Sequence, residues 1–464
     1  MNIRDIPLDF HPIDIADGPR LKPYLRAGRT TCDWTFANLF CWQDYYGMQW
    51  AEWNHWLVIR CRINGERRIG YMVVPERETQ SYSEIVPLLS QVAFRENHPL
   101  LLANLSEREC ALLQLQCPDT FVLDRNRDFD DYLYEREALA TLRGQKLAAK
   151  RNHVNKFSKT YSYQYEVLER KDFEECLRLE NEWRGQHRTS PEDLTAEQQA
   201  IKTAFQHYED LQLCGGLIRV DGHIIAFTYG SALDDHTFCT HVEKADTSYD
   251  GAFSMINYLF AKHLPSSFTL INREEDMGLP GLRKSKLSYH PYSLMPKYVA
   301  LQLTDDMRGI QEVWRVCFGD EEPFVHSFLA RYYFKDNAFV HYEEGRVVSM
   351  AFWIPCATEL GPTAYLYAIA TLPEYRERGY AGLLVRKALE SARQSGCVAA
   401  MLIPADADLK GFYRQLGFED VNIPVTFSDE LDLGTGEAIK NRAMLASLSE
   451  DMHWPEEIHC LCMM

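Results

Sequence analysis

Three widely spaced segments of the chain share one pattern, and this repeat restricts the folds that the sequence can adopt. Each segment is a β-rich run, a tight turn that ends in glycine, and a second β-rich run. The turns fall at Asn64-Gly65, Asp221-Gly222 and near Glu344-Gly345. Asn-Gly and Asp-Gly favour two-residue hairpin turns because both turn positions tolerate positive φ. The sequence therefore predicts three antiparallel hairpins.

The second and third hairpins continue in parallel ways. Each is followed by a further strand-like run, TFCTHVEKA or AYLYAIAT, and then by a helical pattern. The apolar residues of the last helix recur on one α-helical face: Ala381, Leu384, Val385, Ala388, Leu389 and Ala392. A chain of 464 residues is also too long for one ordinary core. We therefore predict a distant structural repeat with three domains, residues 1–137, 138–300 and 301–464.

Composition narrows the class of protein. No apolar run approaches the ~18 residues of a membrane span, and the N-terminal stretch is acidic where a signal peptide would be basic and then apolar. The 13 cysteines are scattered singly, which indicates reduced thiols and no metal site. These features predict a cytoplasmic protein.

The net charge of −18 argues against a broad nucleic-acid-binding surface. One stretch, residues 138–165, has no acidic residue and carries Lys146, Lys150 and Arg151 among other basic residues. It is either a solvated helix face or a patch that meets phosphates on a cofactor, a lipid headgroup or tRNA.

The turn ATLPEYRERGYAGLL joins a predicted strand to a predicted helix. A helix N-terminus exposes backbone N–H groups and partial positive charge, so it suits a pyrophosphate. Gly379 permits close approach there, and Arg376 and Arg378 can add charge-assisted hydrogen bonds. The turn is therefore a candidate site for a phosphate-bearing carrier, and the alternative is an ordinary turn before a helix.

These residues resemble the GNAT acyltransferases. RERGYA matches the Arg/Gln-x-x-Gly-x-Gly/Ala signature, and CVAAMLIPA and DLKGFYRQLGF are similar to the elements that follow it, over roughly residues 304–430. The resemblance implies acetyl-CoA, or another acyl-CoA, held along the following residues: Ile369, Ala370, Thr371, Arg376, Arg378, Gly379, Tyr380, Ala381 and Gly382. It also implies that Tyr413 protonates the departing thiolate, although a packed aromatic is the alternative. AYLYAIAT lacks the glutamate that often serves the family as general base, so the base and the acceptor amine stay open.

Residues 1–300 resemble soluble relatives of the phosphatidylglycerol lysyltransferase catalytic domain. The matching stretches are CDWTFANLFCWQDYY, KLAAKRNHVNKF, HVEKADTSYDGAFSMINYLFAKHL and NREEDMGLPGLRKSKLSYHP. That family folds as two GNAT-like units in tandem and is related to the Fem peptidyltransferases, which use aminoacyl-tRNA. The resemblance implies an α/β protein with three GNAT-like units of mixed β-sheet flanked by helices. It also implies an acceptor that is a small molecule, a peptide or a lipid headgroup.

The middle unit departs from the GNAT pattern. Its turn reads DTSYDGA, without arginine, and Asp246 and Asp250 would repel a pyrophosphate. Strand alternation places His241 and Glu243 on one face, where they could serve acid–base chemistry or form a satisfied polar pair. The candidate substrate-binding residues are Lys146, Lys150, Arg151, Lys244, Asn272, Arg273, Glu275, Arg283, Lys284 and Lys286.

The sequence thus predicts an acyltransferase with a C-terminal acetyl-CoA-dependent domain and an N-terminal aminoacyl- or acyl-transfer region. Two alternatives stay open for the N-terminal region. It could take its acyl group from aminoacyl-tRNA, or it could be a non-catalytic module that binds the substrate. The charged NREED run and His241 with Glu243 favour catalysis, whereas DTSYDGA favours the binding module.

Overall fold

A computed structural model describes residues 8–25, 31–63, 68–77, 79–186, 191–427, 442–449 and 453–462. The chain forms two compact units. The first comprises Met1–Ala93, Leu100–Pro118 and Arg125–Ala300, and the second comprises Phe94–Pro99, Asp119–Asp124 and Leu301–Met464.

The first part of the chain builds an antiparallel hairpin next to a parallel strand. The helices up to residue 141 are α1 (Gly18–Leu25), α2 (Phe36–Tyr46), α3 (Tyr82–Arg95), α4 (Glu107–Gln116) and α5 (Arg136–Thr141). The strands are β1 (Gln49–Trp53), β2 (Trp56–Ile63), β3 (Arg68–Pro75), β4 (Leu101–Leu105), β5 (Phe121–Arg125) and β6 (Asp131–Glu135). Strands β1, β2 and β3 pair antiparallel, and β4 pairs parallel to β3. The predicted turn at Asn64-Gly65 lies outside the described residues.

Helix α2 shows how local sequence sets an element of this region. The hydroxyl of Thr35 accepts the backbone N–H of Asn38, which caps one of the unpaired donors at the start of the helix. Gly47, with φ of 55°, takes the left-handed conformation that ends the helix.

The middle of the chain builds a second sheet. The helices are α6 (Ala148–Thr160), α7 (Phe173–Gln186), α8 (Pro191–Gln206), α9 (Ala252–His263) and α10 (Pro280–Leu287). The strands are β7 (Tyr163–Val167), β8 (Cys214–Val220), β9 (His223–Ala232), β10 (Thr237–Ala245), β11 (Leu270–Asn272) and β12 (Ser293–Met295), together with β6. Strand β13 (Tyr298–Gln302) follows them in the chain but belongs to the first sheet. The strand order is β12-β6-β11-β10-β9-β8-β7. The hairpin predicted at Asp221-Gly222 joins β8 to β9, and both turn residues have positive φ.

Both faces of this second sheet are covered. Helix α9 buries Met255, Ile256 and Leu259 against one face. Helices α7 and α8 bury Leu179, Ile201 and other apolar side chains against residues such as Phe227 in a separate cluster. The second sheet is therefore enclosed between two layers of helices.

The second unit contains the third sheet. Its helices are α11 (Asp305–Cys317), α12 (Glu322–Tyr332), α13 (Tyr380–Gln394) and α14 (Lys410–Arg414). Its strands are β14 (Ala338–Glu343), β15 (Arg346–Thr358), β16 (Gly361–Thr371), β17 (Ala399–Leu402), β18 (Glu419–Phe427), β19 (Arg442–Ser447) and β20 (Ile458–Cys462). The strand order is β14-β15-β16-β17-β19-β18-β20.

The predicted features of this unit are present. Glu344 and Gly345 both have positive φ at the turn between β14 and β15. On α13, four of the six apolar residues predicted to form its inner face are fully buried: Leu384, Val385, Ala388 and Ala392. Three sheets with flanking helices confirm the α/β fold class. No helix in the described ranges combines the length and the apolar character that crossing a bilayer requires.

Candidate functional site

The end of strand β16 separates from its neighbour. The parallel pairing of β16 with β17 covers Thr363–Tyr365 and Ala399–Met401, and β17 ends at Leu402. Strand β16 continues to Thr371 along β15 alone. The peptide groups of β16 beyond Tyr365 therefore border an opening between the two strands.

A β-bulge distorts β16 at this opening. Met350 pairs with Ala370 and Phe352 pairs with Tyr367, so Ala368 and Ile369 lie opposite the single residue Ala351. Ala368 has φ of 49°, which is unusual for a residue with a side chain. Bulges re-aim backbone groups and are common beside functional sites. The predicted cofactor-binding residues Ile369, Ala370 and Thr371 lie at this bulge or directly after it.

The strand leads to a helix N-terminus that is sterically open. Gly379 precedes α13 with φ of 82°, no side chain caps the helix there, and a Cβ at this position would meet nothing within 4 Å. Arg376 and Arg378 are exposed beside it. The first N–H groups of a helix have no acceptor within the helix, so this turn can receive an anion.

A glutamate on the neighbouring strand already contacts the turn. Glu343 of β14 accepts hydrogen bonds from Arg378 Nη1 at 2.8 Å and from the Tyr380 hydroxyl at 2.6 Å. The ring of Tyr380 stacks on His341, with 4.0 Å between the ring centroids. Sequence analysis did not identify Glu343, because it lies on a different strand about 35 residues from the turn.

Tyr413 lies on the short helix α14 and is nearly fully buried. Its ring packs against Phe412 and Phe418. Burial raises the pKa of Tyr413 to about 12, so the phenol stays protonated at neutral pH. The side chain can therefore donate a proton, as the predicted acid must.

The second sheet has the same strand-turn-helix arrangement, but protein groups occupy the corresponding turn and strand gap. Strand β10 pairs parallel to β11 over Thr237–Cys239 and continues to Ala245. Helix α9 begins after Gly251, which has φ of 92°. A Cβ at Gly251 would lie 3.1 Å from the carbonyl oxygen of His153 on α6, and Asp250 forms an ion pair with Lys156 at 2.6 Å. Helix α6 thus closely approaches this turn, whereas the turn at Gly379 is open.

Side chains also connect the separating strands β10 and β11. Glu243 Oε1 lies 3.0 Å from Nη2 of Arg273, and His241 Nδ1 lies 2.9 Å from Oε1 of Glu274. Both bridges join β10 to the segment that follows β11. These contacts cross the gap whose counterpart between β16 and β17 borders the proposed opening.

The prediction that His241 and Glu243 share a face is wrong. A bulge shifts the register of β10 against β9 between Thr240 and Val242, which inserts His241 and reverses the alternation after it. His241 contacts Glu274, which also accepts a hydrogen bond from Asn38 of α2. Glu243 instead accepts a hydrogen bond from Asn257 of α9, at 3.1 Å.

The structure brings part of the predicted basic patch to Glu243. The guanidinium of Arg273 lies over the rings of Tyr289 and Tyr134, at 4.9 and 5.6 Å from their centroids. Lys150 of α6 lies 4.1 Å from the Tyr289 centroid. Burial lowers the pKa of Lys150, and the charge of Arg273 lowers it further. Two partly buried cations thus lie against aromatic rings beside Glu243.

Other predicted binding residues bind protein groups. Lys244 is buried between Glu197 and Glu180, at 2.8 and 3.5 Å. Lys286 donates to the carbonyl oxygens of Arg273 and Glu275. The remaining predicted residues are distributed as follows: Arg283 pairs with Asp276 and Asp128, Arg151 donates to the carbonyls of Leu142 and Gly144, and Lys146 and Lys284 are exposed. The ten residues therefore do not converge on one phosphate.

A second buried group centres on Lys297, which sequence analysis did not identify. Its Nζ lies 2.7 Å from Asp131 and Asp33 and 3.3 Å from Glu275. Asn272 donates to Asp131 at 2.7 Å. Burial raises the pKa of Asp131 to about 7. For Glu275 burial acts in the same direction, but Lys297 and Lys286 outweigh it and hold the pKa at about 2.

The fold and the strand arrangement define an α/β protein with GNAT-type units. Residues 26–301 match the family model of the phosphatidylglycerol lysyltransferase C-terminal domain, and residues 299–421 match that of a GNAT acetyltransferase domain. The chain belongs to the phosphatidylglycerol lysyltransferase C-terminal family and carries a GNAT domain after it. Both resemblances seen in the sequence are thereby confirmed.

Related proteins each cover part of this chain. A conserved protein of unknown function from Bacteroides thetaiotaomicron is 37% identical, with a TM-score of 0.61 over 64% of this chain and 100% of that one. An uncharacterized protein of Mycoplasmoides gallisepticum is 30% identical over 36% of this chain. The match spans about half of that protein, 55% of its length. The C-terminal domain of a putative lysylphosphatidylglycerol synthetase from Agrobacterium fabrum is 16% identical, with a TM-score of 0.46 over 63% of this chain and 94% of that domain.

Proposed function

We propose that residues 301–464 form an acyltransferase domain that moves an acetyl or other acyl group from acyl-CoA to an amine. One observation carries the proposal. The bulged end of β16 separates from β17 and leads to the open N-terminus of α13 at Gly379. An extended, pyrophosphate-bearing carrier needs both features, a strand edge to pair with and a helix N-terminus for its phosphates.

The residues divide the chemical work between them. The donor supplies a thioester, and the backbone of Ile369, Ala370 and Thr371 would hold its amide-containing arm along the opening. Arg376, Arg378 and the N–H groups of Tyr380, Ala381 and Gly382 would bind the pyrophosphate. Tyr413 would protonate the departing thiolate, because its phenol keeps its proton at neutral pH. The acceptor amine loses its proton to a water or to a residue outside β16, or arrives neutral.

For residues 1–300 we propose an aminoacyl- or acyl-transfer region, in two GNAT-like units over 1–137 and 138–300. The family match supports transfer to a lipid headgroup, a peptide or a small molecule. The donor would not be bound as in the C-terminal domain, because α6 approaches the Gly251 turn and two side-chain bridges connect β10 to β11. Aminoacyl-tRNA is the alternative donor, and a non-catalytic substrate-binding module is the alternative role.

Calorimetric titration with acetyl-CoA tests the C-terminal proposal. The wild-type protein should bind one equivalent and Gly379→Asp none, because a carboxylate at the helix N-terminus repels a pyrophosphate. Gly396→Asp is the matched control, since Gly396 also has positive φ, follows the other end of α13 and has open space around it. It should bind like the wild type.

Each other outcome has a defined meaning. Absence of binding by the wild type would overturn the acyl-CoA proposal. A second equivalent that persists in Gly379→Asp would show that the middle unit also binds the cofactor. Equal loss in Gly379→Asp and Gly396→Asp would attribute the effect to backbone strain rather than to the site.

A further inference from the structure

We infer that Ser231 is a covalent nucleophile of acyl transfer in the N-terminal region, activated by His241 and oriented through it by Glu274. The inference rests on the proposed transfer function of residues 1–300. It goes further by naming the attacking atom and the class of donor, an activated acyl ester or thioester.

The three side chains form a continuous hydrogen-bonded chain. Ser231 Oγ of β9 lies 2.8 Å from His241 Nε2 of β10, and His241 Nδ1 lies 2.9 Å from Glu274 Oε1 after β11. A hydroxyl on one imidazole nitrogen and a carboxylate on the other is the geometry that activates a serine. It can be recognised by geometry whatever the order of the residues in the chain.

One proton arrangement of this hydrogen-bonded chain allows His241 to act as a base. An ionised Glu274 only accepts, so the Nδ1 nitrogen of a neutral His241 must carry the ring proton. Asn38 Nδ2 also donates to the same Glu274 oxygen, at 2.9 Å, as an acceptor requires. His241 Nε2 is then the acceptor, and the Ser231 hydroxyl points its proton at a base.

Several backbone features place these groups. The bulge at His241 turns its ring toward Ser231. Glu274 has φ of 57°, a conformation that side-chain-bearing residues rarely take and that often marks functional positions. A Cβ on Gly230, the residue before Ser231, would lie 1.9 Å from the carbonyl oxygen of Cys239. Only glycine allows β9 to approach β10 so closely at this point.

Burial suits a reaction that must exclude water. Ser231 and the His241 side chain are each 6% exposed, whereas the Glu274 side chain is 23% exposed. Glu274 is therefore the end of this hydrogen-bonded chain that reaches solvent. A base in such surroundings transfers its proton to the reacting group rather than to bulk water.

The reaction balances without an oxidant or reductant. Ser231 Oγ forms a bond to the acyl carbonyl carbon while its proton passes to His241 Nε2. The bond from that carbon to the leaving oxygen or sulfur breaks, and His241 returns the proton to the leaving group. The acceptor amine or hydroxyl then attacks the acyl-serine ester, its proton passes to His241 and on to Ser231 Oγ, and the serine is regenerated. Glu274 stabilises the imidazolium in each half.

Labelling of the full-length protein with a fluorophosphonate tests the inference without knowledge of the natural donor. The reagent should form one adduct, located on Ser231 by peptide mass spectrometry. Ser231→Ala should abolish it, and His241→Gln should slow it by about 100-fold or more. Ser254→Ala is the control, because Ser254 lies on α9 and contacts Tyr289 instead of a histidine. It should label at the wild-type rate.

A second measurement keeps the test decisive if a variant is unstable. Wild-type protein mixed with p-nitrophenyl acetate should release one equivalent of nitrophenol in a burst and carry an acetyl group on Ser231. Absence of both the fluorophosphonate adduct and the acetyl-serine would overturn the inference, as would labelling that His241→Gln does not slow. Acetyl-CoA binding is measured separately by calorimetry, so a failure of the acyl-CoA proposal would not be mistaken for a failure of this inference.

Discussion

At the residue scale, Glu343 shows how one carboxylate can set the affinity of a site. It holds Arg378 and Tyr380, two residues of the proposed pyrophosphate-binding turn. Its negative charge competes with a phosphate for the same donors. We expect Glu343→Gln to tighten acetyl-CoA binding by roughly two- to fivefold, because a single exposed charge interaction contributes little.

The measurement is the dissociation constant from calorimetry at low salt, where screening is weakest. Glu344→Gln is the control, since Glu344 is the next residue and lies in the hairpin turn. It should leave the constant unchanged. Weaker binding by Glu343→Gln would instead mean that Glu343 positions Arg378 for the ligand.

Lys297, unlike Glu343, is a buried charge that we expect to contribute to the stability of the fold. It is the cation shared by Asp131, Asp33 and Glu275. Removing one partner from a buried ionic group typically lowers the free energy of unfolding by about 3–5 kcal/mol. We expect a loss of that order for Lys297→Met at pH 8, measured by urea unfolding.

The loss should be smaller at pH 5. The pKa of Asp131 is about 7 in the folded protein and ordinarily 3.8, so the favourable protonated form is lost as the pH rises through 7. Without Lys297 the pKa of Asp131 rises further. At pH 8 the wild type therefore gains from the ionised Asp131 beside Lys297, whereas the variant does not, so the loss of unfolding free energy is larger there than at pH 5. Lys156→Met removes an exposed ion pair and should change little at either pH. Equal losses at pH 5 and pH 8 for Lys297→Met would contradict this account.

At the scale of secondary-structure elements, one strand-turn-helix arrangement occurs twice with different contents. Strand β16 and helix α13 flank an open turn, whereas the turn between β10 and α9 lies against α6 and its strand opening is bridged. Saturating acetyl-CoA should therefore slow amide hydrogen exchange in β16 and the first turn of α13 only. Exchange in β10 and α9 should stay unchanged.

Hydrogen-exchange mass spectrometry of the full-length protein checks this prediction. In Gly379→Asp the protection of β16 should disappear, which ties it to the proposed site. Protection of α9 by acetyl-CoA would mean that the α6 contact opens and that the middle unit also binds the cofactor.

The elements themselves follow closely from local sequence. The Asp221-Gly222 and Glu344-Gly345 turns were predictable because positive φ at both positions suits few residues. The apolar period of α13 was predictable because that helix buries a single face. The bulge in β10 was not, because an extra residue in one strand is defined only against its partner β9.

At the scale of the whole molecule, the chain length and its repeated hairpins predicted several sheets, and the residues that the structure describes form three. The boundaries at 137 and 300 stay predictions, while the chain itself forms two compact units. The net charge of −18 bears on partners and not on the fold.

The sequence by itself determined the fold class, the family and the open turn at Gly379. Each depends on a continuous stretch of sequence, because turn residues and apolar periodicity act between residues that are close in the chain. Only the tertiary structure decided which polar side chains meet: His241 with Ser231 and Glu274, Glu243 with Arg273, and Lys297 with Asp131. Those partners come from separate strands and loops, and the face that each side chain occupies depends on sheet register. Because one bulge reverses that register, no spacing rule along the chain could have paired them.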